Sequence, residues 1–170
     1  MPTTMVTRTY LRMASPAALR PARTTVADAR IEHVAPCPVE RYRALYHAVG
    51  ASWHWHDRDA WSDARLGEHL AQEGVHVHVL AVGGETAGYF ELQRHDDGDV
   101  EIVYFGLLPP FIGRGLGGHL LTAAVEEAWR MGATSVWLHT CTLDHPAALA
   151  NYRARGFEPY HSEHYQVSVP

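Results

Sequence analysis

IGRGLGGHLL, Ile112 to Leu121, is the stretch that decides how this chain folds. Gly113, Gly115, Gly117 and Gly118 strip side chains from a turn that opens a helix, so backbone N–H groups and the helix dipole can face an anion such as pyrophosphate. The helix shows in Leu116, Leu120, Ala124 and Ala128, four apart, with Leu121, Val125 and Trp129 widening the apolar stripe toward Met131. Glycines alone leave three readings open: a phosphate-bearing ligand, a dinucleotide fingerprint, and a tight packing turn with no ligand.

The flanks narrow these. Upstream, VHVHVLAV (75–82), TAGYFELQ (86–93) and VEIVYFGLL (100–108) read as three consecutive antiparallel strands, joined by a Gly-Gly turn and by the polar HDDGD. A dinucleotide fold would instead set its glycines after the first strand of a repeated βαβ array, with an acidic residue about 20 positions on. Val136 to Leu138 occupy that place, and no Gly-Lys-Ser/Thr follows to make a P-loop.

Further out, ARIEHV (29–34) reads as a strand, and Pro38 opens a helix with Val39, Tyr42, Leu45, Tyr46 and Val49 on one face. SWHWHDRD (52–59) follows as a loop, and Ser62 caps a second helix carrying Leu66 and Leu70. Beyond the glycine helix, TSVWLHT (134–140) is a strand and HPAALANYRAR a helix begun by Pro146 and closed by Gly156. The remainder to Val169 can add one or two strands. The expected fold is α+β, of the three-layer α/β type: a central mixed, mostly antiparallel sheet flanked by about four helices.

At 170 residues, 46% apolar, the chain suits one globular domain. Residues 1–27 contain no acid, four arginines (Arg8, Arg12, Arg20, Arg23) and no sustained apolar period, so 1–28 is expected to be a flexible extension and 29–170 the domain. A transit-like segment is the alternative for the same composition. No run of about 18 apolar residues proposes a membrane span. A formal charge of -5 without a dense basic cluster argues against nucleic acid and favours a cationic small molecule. Cys37 and Cys141 suggest neither a disulfide framework nor a zinc site, so a reducing, cytoplasmic setting is the default. A monomer or homodimer is expected.

Two motifs in order then give the chain a resemblance. Ile112-Gly113-Arg114-Gly115-Leu116-Gly117 is similar to the acetyl-CoA loop of the GCN5-related N-acetyltransferases, Gln/Arg-x-x-Gly-x-Gly/Ala, in all but its first position. LDHPAALANYRARGF resembles that family's closing signature, Asp-Asn-Pro-x-Ala, a helix, Tyr and Gly-Phe, with His145 where Asn is usual. The resemblance covers about residues 29–160. It implies a fold of the kind described, acetyl-CoA as co-substrate, and transfer of its acetyl group to a primary amine of a small molecule, or second to a peptide or protein amine. A non-catalytic acyl-CoA-binding module is the competing class.

Direct transfer from a thioester to an amine needs a neutral amine, support for the developing oxyanion and a proton for the departing thiolate. The resemblance implies Glu101 as base, since EIV recurs in the histone-acetylating branch, and Tyr152 as acid. It assigns the thioester carbonyl to the Leu107 N–H, and the cofactor to Leu107, Gly113, Arg114, Gly115, Leu116, Gly117 and Gly118, with His145 a hydrogen-bond partner. Alternation places Glu101, Val103, Phe105 and Leu107 on one face. His139 is a second base or an acceptor contact; Cys141 beside it offers a thiol alternative of small weight. The resemblance further sets SWHWHDRD on the acceptor side. Trp53 and Trp55 would then wall an amine-bearing acceptor, Asp57 pair with its charge and Arg58 with a carboxylate. A core anchor is the other reading of Trp55. His54 with His56, and His76 with His78, are paired imidazoles without a converging third ligand, so no metal is expected.

Overall fold

The computed structural model describes residues 2–168. Eleven regular elements follow one another: β1 (Thr3–Met13), β2 (Ala29–Val34), α1 (Val39–Gly50), α2 (Asp63–Leu70), β3 (Val75–Val82), β4 (Glu85–Arg94), β5 (Val100–Leu107), α3 (Gly117–Arg130), β6 (Val136–Cys141), α4 (Ala148–Arg155) and β7 (Glu158–Ser168). Their boundaries follow local chemistry. The Ser62 hydroxyl accepts from the Arg65 N–H at 3.1 Å to start α2. Gly156, at φ 112°, turns the chain out of α4 in the left-handed region. Val169, the expected end of the last strand, lies outside the described residues.

The strands form one sheet in the order β2-β3-β4-β5-β6-β1-β7. Every neighbouring pair is antiparallel except β5 and β6, which are parallel. On one face α3 and α4 cover Phe90, Leu92, Ile102, Val136 and Leu138. On the other, α1 and α2 set Tyr42, Leu45, Val49 and Leu66 over Val75, Val77, Val79 and Tyr89. Successive residues of β3 and β4 thus serve opposite cores, as the two-residue period of a strand requires. Four helices on a mixed, mostly antiparallel sheet match the expected class. Among the described residues no helix is long and apolar enough to cross a membrane.

The expected flexible extension is corrected. Residues 3–13 form a strand held on both sides, Arg8 opposite Cys141 of β6 and Glu163 of β7, with Val6, Leu11 and Met13 buried. Leu11 and Met13 join the core beneath α3 and α4, while Tyr10, of opposite parity, meets Trp137, His139 and His161. The segment that leads on to β2 is docked as well. Arg20 N–H donates to Arg155 O at 2.9 Å, Ala22 N–H to Thr122 Oγ1 at 2.9 Å, and Arg23 pairs with Glu126 at 2.8 Å along α3. Buried apolar contact and satisfied backbone groups outweigh the ordering entropy that a polar, Pro-containing composition suggests.

Candidate active site

The parallel strands β5 and β6 pair only at Val100–Val136 and Glu101–Trp137. Beyond that point they part and open a cleft of about 600 Å³, walled by Ile102 to Leu107 on one side and by His139 and Cys141 on the other. The glycine turn closes one end of it. Gly113 and Gly115 sit at φ 81° and 77°, and a Cβ at either would meet nothing within 4 Å, so backbone conformation, not space, demands glycine there. α3 then begins without a side-chain cap, so its first N–H groups and its dipole face an anion site that Gly113, Gly115 and Gly117 line. These residues fit the pyrophosphate and pantetheine of acetyl-CoA.

Not every glycine serves the cleft. A Cβ on Gly118 would lie 2.8 Å from the Arg155 guanidinium and 3.0 Å from Ala22 Cβ, so this glycine admits the N-terminal segment and α4 to the helix. Arg114 also lies away from the cleft wall, with its guanidinium 5.1 Å from the centre of the Phe111 ring.

α4 brings Tyr152 to the cleft. Its ring is 7% exposed and packs against Phe105 and Phe157 at 6.0 and 6.3 Å between centroids. Burial, and then the nearby Asp144 carboxylate, push the phenol above its ordinary 10, so it holds its proton at neutral pH. Asp144 itself accepts from the Cys141 N–H at 2.9 Å and from the Thr140 hydroxyl, which braces the turn between β6 and α4. In the same turn His145 Nδ1 accepts from the Ala147 N–H at 2.9 Å.

Of the loop 52–59, Trp53, Trp55 and Asp57 line the cleft. Trp53 reaches across to the His145 ring, edge to face at 5.1 Å. Trp55 is both wall and anchor, since its indole also packs on Tyr46, Tyr89 and Tyr104 and a Cβ on Gly50 would collide with it at 2.6 Å. The Tyr104 hydroxyl donates to Asp57 at 3.5 Å. Arg58 is corrected: it is 6% exposed and turned inward to the carboxylate of Glu91, so it cannot meet an acceptor carboxylate.

The expected alternation through Glu101 is corrected too. Leu92 lies opposite Ile102 and Glu91 opposite Tyr104, which leaves Val103 as an unpaired bulge residue. The bulge breaks the expected alternation: Ile102 and Phe105 share the α3 core, and Tyr104 joins the α1 side. Glu101, ahead of the bulge, is not part of the cleft wall; its carboxylate accepts from His95 Nε2 at 2.9 Å, and His95 stacks on Trp137.

Among the cleft residues that sequence reasoning passed over are Arg8 of β1 and Tyr165 of β7, joined by an Arg8 Nη2 to Tyr165 Oη hydrogen bond of 3.3 Å. Cys141 lines the same wall, but burial and Asp144 push its thiol up, away from the nucleophilic thiolate.

A left-handed glycine turn at a helix start, a buried tyrosine and a cleft between splayed parallel strands agree with what the comparison with known families finds. The model of the acetyltransferase (GNAT) family matches residues 42–157. The chain belongs to the GNAT acetyltransferase family. It is 33% identical over 103 residues to the N-alpha-acetyltransferase RimI of Mycobacterium tuberculosis, covering 59% of this chain and 63% of that protein. It is 30% identical over 116 residues to the mycothiol acetyltransferase of Corynebacterium efficiens, covering 65% of this chain and 38% of that one. Other curated relatives are uncharacterized N-acetyltransferases of mycobacteria, of whose length this GNAT chain spans about half (49%). The crystal structure of a GCN5-related N-acetyltransferase from Sphaerobacter thermophilus shares the fold at a TM-score of 0.71 and 20% identity, over 95% of this chain and 50% of that one.

Proposed function

We propose that this GNAT protein transfers an acetyl group from acetyl-CoA to a primary amine by direct attack in a ternary complex. One observation carries the reading: a single cleft joins the left-handed glycine turn at the start of α3 to the Tyr152 ring and to the loop 53–57. Bound acetyl-CoA supplies a thioester carbon open to an amine. The chain supplies the rest. Gly113, Gly115 and Gly117 present backbone N–H groups to the phosphates, and the end of β5 at Leu107 offers its N–H to the thioester carbonyl. Tyr152 holds the proton that a departing thiolate needs.

The acceptor is a small cationic amine. Exposed Asp57 on the cleft wall supplies a countercharge, and the Trp53 and Trp55 rings supply faces for a cation. A peptide amine is the second reading, favoured by the likeness to an N-alpha-acetyltransferase.

Release of CoA thiol from acetyl-CoA, measured with a polyamine, an aminoglycoside and a peptide bearing a free N-terminal alanine, tests the proposal. Release that depends on one of these amines supports it. Tight acetyl-CoA binding with no amine-dependent release would instead identify a binding module.

A further inference from the structure

With Glu101 held by His95 outside the cleft, the acceptor's proton needs another destination. We infer that His139 takes it, an inference that rests on the transferase reading above. His139 stands on β6 just past the point where β5 and β6 separate, and it is exposed to the cleft that Tyr152 and the glycine turn share. Strand pairing fixes the backbone beneath it: His139 lies opposite Tyr10 of β1, whose ring packs against the imidazole at 5.5 Å. A base carried on a paired strand is placed before substrate arrives, which is what proton transfer in a transition state requires.

Two of the other cleft imidazoles are otherwise engaged, and the third lies on a loop. His56 Nδ1 lies 2.9 Å from Asp59, and His145 Nδ1 accepts from Ala147. His54 sits at the end of a short helical turn at φ 60°, on a loop rather than a strand. His139 lines the cleft, and among the described residues no side chain is hydrogen-bonded to its ring.

The surroundings keep the ring neutral. Partial desolvation by the cleft walls lowers its pKa below the ordinary 6.5 and Arg8 of β1 lowers it further, against the opposing pull of Glu101 on β5, Asp144 before α4 and Asp57 on the loop. An uncharged imidazole at neutral pH can accept a proton; the three carboxylates then stabilise the imidazolium that forms.

The step balances. An N–H bond of the acceptor ammonium breaks and an imidazole N–H bond forms, and His139 later returns that proton to solvent. The freed amine forms the C–N bond to the thioester carbon. As the C–S bond breaks, the sulfur takes the Tyr152 hydroxyl proton, and the second proton lost by nitrogen restores Tyr152 through solvent. One proton is released per acetyl group transferred.

The test is the pH profile of kcat/KM for the His139→Gln variant, with whichever of the three amines supports release by the wild type. The wild-type rate is expected to fall in acid with a midpoint below 6.5. In the variant that acid limb disappears and the rate at pH 7 drops by about 100-fold or more. Acetyl-CoA affinity, read by calorimetry, stays within about twofold, because the ring is not part of the phosphate turn. A second measurement does not depend on the variant's folding: the imidazole of His139, followed by NMR in the wild type, titrates with the same midpoint as the acid limb. A variant that keeps the acid limb and a rate within about threefold of wild type overturns the inference alone, as does a mismatch of the two midpoints. Absence of wild-type release with all three amines overturns the transferase reading and this inference together.

Discussion

Arg58 and Glu91 form an ion pair in the interior of the protein: Arg58 Nη2 donates to Glu91 Oε2 at 2.9 Å, and the Glu91 side chain is completely buried. The Tyr42 hydroxyl and His69 Nε2 donate to the same carboxylate. Trp61 and Tyr104 cover the guanidinium, each ring centre 4.8 Å away. The Arg58 backbone N–H also donates to the Tyr46 hydroxyl at 3.2 Å. The loop that carries Trp53, Trp55 and Asp57 is thereby tied to β4 and α1 one residue after its last cleft residue. A surface loop is thereby anchored to the interior beside the wall that the proposed function gives to the acceptor.

Removing one partner of that pair leaves the other charge buried and uncompensated, so Glu91→Gln is expected to cost about 3–5 kcal/mol in urea unfolding at pH 7. Burial alone would raise the Glu91 pKa; the His69 hydrogen bond and the Arg58 charge outweigh it and hold the carboxyl below its ordinary 4.5. A folded-state pKa below the unfolded one stabilises the protein above the unfolded value, and that contribution is lost as pH falls through the folded one. The gap between wild type and Glu91→Gln should therefore narrow in acid well below pH 4.5. A gap that is constant with pH would mean the carboxylate is not what Arg58 depends on.

Gly115→Ala and Gly118→Ala should fail in different ways. Alanine at φ 77° is strained by about 1–2 kcal/mol although nothing obstructs its methyl. If the loop relaxes to relieve that strain, its N–H groups leave the phosphate site and acetyl-CoA affinity falls by about tenfold. At Gly118 the methyl meets Arg155 and Ala22, so melting temperature drops while the phosphate turn keeps its shape. Calorimetric titration and thermal melts of both variants check the contrast; equal loss of affinity in both would assign Gly118 to the ligand after all.

What could be read from the sequence was local. The helices announced themselves by apolar spacing and by the Ser62 and Gly156 boundaries, and the cofactor turn by its glycines. β1 did not, because its Thr-Arg-Tyr alternation gains meaning only beside Cys141 and Glu163, more than a hundred residues away. Arg58 lies between two aspartates and reads as a surface charge; only the return of β4 supplies Glu91 to draw it inside. The Val103 bulge had no local mark either, and it alone moves Glu101 out of phase with Phe105. Each miss is a tertiary contact overriding a periodic or polar pattern.

His78 offers a pH-dependent stability outside the cleft. Its imidazole is buried between the His33 and Phe90 rings at 4.4 and 4.8 Å, with Nδ1 unpartnered among the described residues. Burial, with a further push from His33, lowers its pKa from 6.5 to about 4. Between these values the unfolded chain binds the proton and the folded one does not, so stability falls as pH drops from 6.5 toward 4, by about 3 kcal/mol in all. His78→Phe keeps the stacked ring and removes the proton site. Its unfolding free energy should exceed that of wild type by a margin that grows over this window, and a margin that stays flat would refute the assignment.

Tyr152 separates catalysis from packing. Its ring belongs to the core of Leu121, Ala124 and Phe157, whereas its hydroxyl has no hydrogen-bond partner among the described residues. Tyr152→Phe should therefore leave urea stability and acetyl-CoA affinity nearly unchanged. Loss of the proton donor should lower kcat by about 100-fold or more. The sign of a thiol-assisted test follows from the same role: an activated acyl donor whose leaving thiol has a low pKa needs no acid, so the defect should shrink as leaving-group acidity rises. Measuring kcat for wild type and variant along a series of acetyl thioesters of decreasing thiol pKa gives the answer. A defect of constant size across the series would make Tyr152 a positioning residue and leave the thiolate to take its proton from water.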